Sequence, residues 1–191
     1  MDFYTSPSYR GWRRMFERTF KVVFLNDRGV GKTTLLYRIS PAASGPEHIP
    51  FLKANILERD FTLSKYLFKL LFWEIEPTAT REVINKIFAD ADAIVTLFDV
   101  CNLGTLDAAE KRYNLISFLR KQSRWLVGNK IDLAERRTVF ESEATKLAER
   151  LNANYIEISA KTGDNVEKFL VSLLKDLLRA RLEEIEVTLR V

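Results

Sequence analysis

The stretch Asn26-Asp27-Arg28-Gly29-Val30-Gly31-Lys32-Thr33-Thr34 constrains this chain more than any other. An apolar run at residues 20–25 precedes it, and a segment with helical apolar spacing, residues 35–39, follows it. A strand, a glycine-bearing turn and a helix start, in that order, aim loop N–H groups and the positive end of a helix dipole at one anion. The stretch meets the phosphate-loop pattern G-x-x-x-x-G-K-S/T except at its first glycine, which is Asn26. Asparagine is the mildest replacement there, because it visits positive φ more readily than other residues with a side chain. Asp27, Arg28, Gly29, Val30, Gly31, Lys32, Thr33 and Thr34 are therefore candidate phosphate-binding residues. In that pattern Lys32 reaches the β/γ-phosphates and the Thr33 hydroxyl ligates Mg²⁺.

A chain of 191 residues suits one domain with tails and can bury a core without staples. Its single cysteine, Cys101, makes no internal disulfide and fits a reducing compartment. No apolar run approaches the ~18–20 residues of a membrane span, and no secretory signal is evident. Asp2 excludes N-myristoylation, and the C-terminal residues hold no cysteine to prenylate, so no lipid anchor is expected. A net charge of +4 is too mild to indicate nucleic acid. The expected location is cytoplasmic.

Residues 1–19 read as an aromatic and basic tail. Trp12, Met15 and Phe16 share a face at helical spacing, among Arg10, Arg13, Arg14 and Arg18. Residues 3–18 would then be a short amphipathic helix meeting a membrane surface or a partner, or a segment folded back on the domain. Residues 41–50, rich in turn formers and holding the only histidine, His48, read as a loop. Residues 54–63 and 66–74, parted by Ser64 and Lys65, read as a hairpin. Residues 77–86 read as a polar connection with helical character, and 93–100 as a buried parallel strand. Helices are predicted over 106–119 and 142–151, and strands over 124–128 and 155–159. The last helix is expected to start at Asp164, capped with Glu167, and its apolar stripe runs from Val166 through Leu178 to Leu182 and Ile185. Alternating strands and helices predict an α/β fold with a mostly parallel sheet covered on both faces, and ligands at the carboxyl ends of its strands.

Two further motifs follow strands: Asn129-Lys130-Ile131-Asp132, and Ser159-Ala160-Lys161. With the phosphate loop upstream, the chain resembles a small GTPase of the Ras superfamily over roughly residues 20–178. The resemblance implies a P-loop NTPase fold with a mostly parallel six-stranded sheet, a G domain over 20–182 and a C-terminal helix extension over 183–191. It implies GTP or GDP with Mg²⁺ as ligands, and an effector or regulator protein as partner. One carboxylate can accept the adjacent N1–H and 2-amino donors of guanine together, and Asp132 matches the family residue for that contact. Adenine lacks such a donor pair and would leave the carboxylate unpaired. By the same resemblance Asn129 braces the site, Lys130 covers one ring face, Ala160 offers its N–H to the guanine oxygen, and Ser159 and Lys161 support the loop.

The chain departs from the family where the γ-phosphate is sensed. None of its seven glycines has an aspartate three residues before it, so D-x-x-G is absent. By register its place is taken by Glu74-Ile75-Glu76-Pro77. Glu74 remains a candidate for the Mg²⁺ shell, one methylene longer than aspartate, whereas Pro77 has no N–H to give a phosphate. No threonine lies between Thr34 and Thr62, and the only glutamine, Gln122, is far from the second switch. Degenerate switches predict guanine nucleotide binding with weak or absent hydrolysis, and an output through protein–protein interaction. The alternatives are a nucleotide-independent interaction module, or a turnover GTPase completed by a partner's group.

Overall fold

The computed structural model describes residues 16–25, 28–40, 47–49, 54–64, 66–75, 80–116 and 122–189. In chain order the elements are β1 (Phe16–Phe24), α1 (Lys32–Ile39), β2 (Glu47–Ile49), β3 (Ala54–Leu63), β4 (Tyr66–Ile75), α2 (Arg81–Ala89), β5 (Ala93–Asp99) and α3 (Leu103–Leu115). There follow β6 (Ser123–Asn129), a 3₁₀ turn (Ile131–Arg136), α4 (Glu141–Arg150), β7 (Asn154–Ile158) and α5 (Val166–Leu189). The strands form one sheet in the order β2-β3-β4-β1-β5-β6-β7. β4, β1, β5, β6 and β7 run parallel, while β3 joins β4 and β2 joins β3 antiparallel.

Six of these strands are the expected ones, and the seventh, Glu47–Ile49, lies in a stretch read as loop. It pairs with Ala54–Ile56, and three residues are too few to show a two-residue alternation. β1 begins at Phe16, so residues 16–19 belong to a strand and not to a helical tail. Arg18 and Phe20 share one face of it, the guanidinium 6.0 Å from the ring centroid, in register with Phe68 and Leu70 of β4. Residues 1–15 of the expected tail lie outside the described residues, as do Lys65, Glu76 and Pro77.

Burial follows from the parallel topology. Every residue of β5 is buried, with Ala93, Val95 and Leu97 facing one layer and Ile94 and Phe98 the other. On the first face, Leu35, Leu36 and Ile39 of α1 and Val166, Phe169, Leu170, Leu173 and Leu177 of α5 close the main core. On the second, α3 and α4 pack around Phe98 and Leu126, while Ile87 and Phe88 of α2 pack on Val23 and Ile94. The α5 stripe leaves this core after Leu178, and Leu182 is 62 % exposed. Among the described residues no helix is long and apolar enough to cross a membrane.

Two helix starts differ from expectation. α3 begins before residue 106 because Asn102 caps it, its Oδ1 accepting the Gly104 N–H at 3.0 Å. The Asp164–Glu167 capping pair does not form. Asp164 accepts the Thr162 hydroxyl at 2.7 Å, and Glu167 is 3.0 Å from the Arg59 guanidinium. Asn165, at φ 59°, supplies the carbonyl that receives the Phe169 N–H. A local turn contact to Thr162 and a distant one to Arg59 took the two side chains that the box required.

Phe169 tests this core. It is fully buried, with its ring edge-on to Trp125 at 5.6 Å between centroids. Phe169→Ala should cost about 3–5 kcal/mol of unfolding free energy in a urea titration, and a loss under ~1 kcal/mol would contradict the packing described.

Candidate nucleotide site

The carboxyl ends of β1, β4, β5, β6 and β7 converge on one rim of the sheet, where a cleft of about 1070 Å³ opens. At its floor Gly29 and Gly31 hold φ of 81° and 87°, which L side chains rarely adopt. Gly31 is required twice over, since a Cβ there would lie 2.3 Å from Asn129 Nδ2. Its carbonyl accepts the Leu35 N–H at 3.0 Å and opens α1. No side chain caps this helix, so the N–H groups of its first turn have no side-chain acceptor and face the cleft with the dipole's positive end. Arg28, Lys32, Thr33 and Thr34 line the same cleft, and Val30 is buried beneath. Asn26 and Asp27 lie outside the described residues.

The second loop leaves β6 at Asn129, which is 1 % exposed. Its Nδ2 donates to the Val30 carbonyl at 2.8 Å, and its Oδ1 accepts the Ala160 N–H at 2.9 Å. One amide therefore ties the phosphate loop to the loop after β7. Lys130 takes φ 73° and extends along the cleft, its ammonium 2.6 Å from Asp99 Oδ2. Asp132, at the start of the 3₁₀ turn, is oriented by Ser159, whose hydroxyl donates to Oδ1 at 2.6 Å and accepts the Thr162 N–H at 3.0 Å. That hydrogen bond ties one carboxylate oxygen of Asp132 to the loop after β7.

Among the described residues, the predicted Arg28 to Thr34, Glu74, Asn129, Lys130, Asp132, Ser159, Ala160 and Lys161 come together on this rim. Two details differ from the roles the resemblance implied. The Ala160 N–H already serves Asn129 Oδ1, so a guanine oxygen must share that donor. Glu74 is not simply a metal ligand in waiting: its Oε1 is 2.8 Å from Lys32 Nζ, and Asn55 Nδ2 stands 3.4 Å from Oε2. Gln122 lies at the foot of β6, on the opposite rim, and no switch role is open to it.

Three contributors escaped the sequence reading. Arg38, on the last turn of α1, donates from Nε to the Ala160 carbonyl at 2.6 Å and from Nη2 to that of Lys161. Nothing in the sequence marks a contact 122 residues distant. Asp99 is the one charged residue of the buried strand β5, and a lone charge at a strand's carboxyl end was the available signal. Glu157 sits in β7, gripped by Arg137 at 2.9 and 2.7 Å and by the Tyr155 hydroxyl at 2.6 Å. Burial works to raise its carboxyl, but those hydrogen bonds and the Arg137 charge outweigh burial and hold it below the usual carboxylate range. Burial, aided by Asp99, pushes the Cys101 thiol beside the site up, away from the reactive thiolate.

The residues fit a nucleotide with its metal. Exposed Thr33 and an open helix start suit phosphate oxygens and a cation bound with them. Among the described residues no cluster of three metal-ligating side chains exists, so a cation here would depend on phosphate oxygens, as Mg²⁺ sites commonly do.

Removing Asn129 leaves a buried carbonyl and a buried N–H unpaired, so Asn129→Ala should lose roughly 2–4 kcal/mol of stability. An unaltered denaturation midpoint would contradict its bridging role. Because the folded Glu157 pKa is depressed, its contribution is present above the unfolded value and is lost as pH falls through the folded one. Glu157→Gln should flatten the acid limb of the stability–pH curve, and an unchanged limb would contradict this.

The Ras family model matches residues 21–179. The chain is 30% identical over 168 residues to the Ras-related protein Rab-1 of Theileria parva, covering 85% of this chain and 76% of that protein. It is 30% identical over 181 residues to Rab-21 of Geodia cydonium, covering 92% of this chain and 78% of the relative. Against human Rab-26 the identity is 30% over 175 residues, covering 90% and 68%. With its P-loop, its N-K-x-D and S-A-K loops and its sheet order on one rim, this chain belongs to the Ras family of small GTPases.

Proposed function

We propose that this protein binds GDP and GTP with Mg²⁺, hydrolyses GTP slowly or not at all, and acts through a protein partner. The observation that supports it best is the Asn129 side chain, which joins the phosphate loop to the base-reading loops through Val30 and Ala160. Lys32 and the open start of α1 take the phosphates, Thr33 the metal, Asp132 the guanine edge, and Lys130 one face of the ring. Slow hydrolysis follows from what the chain lacks. Phosphoryl transfer depends almost wholly on positioning and electrostatics. Pro77 has no N–H for the γ-phosphate, and no glutamine stands near that position to orient a water. With few contacts that differ between GTP and GDP, the ligand has little leverage on conformation.

One observation favours a second reading, a nucleotide-independent interaction module. The phosphate-loop lysine already has a carboxylate at 2.8 Å, so the free site is not a bare cation. Thermal unfolding with and without GTP–Mg²⁺ separates the two readings. At a hundred times the dissociation constant the ligand should add ~2.7 kcal/mol, and no shift would support the module. Asp132→Ala should weaken GDP binding on the order of 100-fold, the scale of a lost charge-assisted pair. Equal binding of GDP and ADP by the unaltered protein would overturn the assignment of Asp132.

A further inference from the structure

We propose that Glu74 is the resident counterion of Lys32, and that it makes entry of a nucleotide conditional on a divalent cation. The inference rests on the nucleotide-binding reading above and concerns how that site is controlled. β4 places Glu74 beside Phe24 of β1, just before the phosphate loop, and opposite Asn55 of β3. There its Oε1 is 2.8 Å from Lys32 Nζ, and the two side chains are only 17 % and 16 % exposed. Asn55 Nδ2, at 3.4 Å from Oε2, steadies the carboxylate from the other side. Glutamate, with one methylene more than the aspartate of D-x-x-G, has the reach for this pairing.

A phosphate arriving at Lys32 must displace the carboxylate or share the ammonium with it. Either way two anions come close inside a partly desolvated cleft, where repulsion is screened less than in water. A divalent cation held by the phosphates turns the same carboxylate from a repellent into a neighbour of opposite charge. Without the cation, Glu74 competes with the ligand for Lys32; with it, Glu74 favours the complex. The free protein gains as well, because the largely buried Lys32 side chain has its charge neutralised when no nucleotide is bound.

The test is GDP titration by calorimetry, with and without Mg²⁺, on the unaltered protein, Glu74→Gln and Glu74→Asp, plus melting of each nucleotide-free protein. Binding by the unaltered protein in Mg²⁺ checks the underlying reading first. Glu74→Gln should then bind GDP about tenfold more tightly than the unaltered protein without Mg²⁺, since charged-pair changes of this kind commonly reach that scale. Its gain on adding Mg²⁺ should shrink, and its nucleotide-free form should melt lower. Glu74→Asp, having the charge without the reach to Lys32, should likewise bind GDP more tightly than the unaltered protein without Mg²⁺ and melt lower when nucleotide-free. If the unaltered protein binds GDP and Glu74→Gln leaves the Mg²⁺-free affinity unchanged, the counterion inference is overturned and the nucleotide reading stands. If no variant binds GDP under either condition, both fall.

Discussion

The geometry of this site depends on one buried amide. Asn129 has room for its two hydrogen bonds only because Gly31 lacks a Cβ, and it reaches them only because β6 delivers it to the rim beside β5. Gly128 secures that delivery, since a Cβ there would crowd the Phe98 ring at 3.0 Å and Val100 at 3.1 Å. Arg38 works from below, holding the Ala160 and Lys161 carbonyls while Asn129 holds the Ala160 N–H. A Cβ at Gly163 would meet the Arg38 guanidinium at 3.1 Å, so this glycine, at φ 97°, gives that strap its space. Three loops far apart in the chain thus share one rigid frame, and rigidity of this kind makes a base-reading carboxylate discriminate.

Charge is arranged with equal economy. Two lysines of the site carry a carboxylate, Lys32 with Glu74 at 2.8 Å and Lys130 with Asp99 at 2.6 Å. These pairs do different things. Asp99 sits at the end of β5, with its Oδ1 accepting the Cys101 N–H, and anchors the Lys130 ammonium while leaving the stem along the cleft. Glu74 engages the charge on which a phosphate depends. The first pair therefore prepares a surface, and the second holds a position that a ligand would have to take over.

Much of this was legible in the sequence, because the informative signals are local. A strand followed by Gly29, Gly31, Lys32 and Thr33 carries its own geometry, and the apolar run at residues 93–100 has the character expected of a buried parallel strand, as β5 is. Asn129, Asp132 and Ala160 were legible as motifs on strand ends. What escaped were long-range partners: Arg38 for Ala160, Glu74 for Lys32, and Arg59, which drew Glu167 away from the cap expected of it. The start of β1 at Phe16 was hidden for the same reason, since residues 16–19 gain their strand from pairing with β4 and not from local propensity. Periodicity reads faces; it does not read which distant side chain will claim a partner.

Membership of the Ras family sets the frame, and the departures from it set the question. The chain keeps the N-K-x-D and S-A-K motifs and lacks D-x-x-G, and on the function proposed above it holds a nucleotide more than it consumes one. The most direct test is to denature freshly purified protein, identify any released nucleotide by ion-exchange chromatography, and repeat after prolonged incubation with Mg²⁺. The account predicts a near-stoichiometric guanine nucleotide whose triphosphate fraction persists through the incubation. Rapid conversion of the triphosphate to diphosphate, or a protein that carries no guanine nucleotide and takes none up, would contradict it.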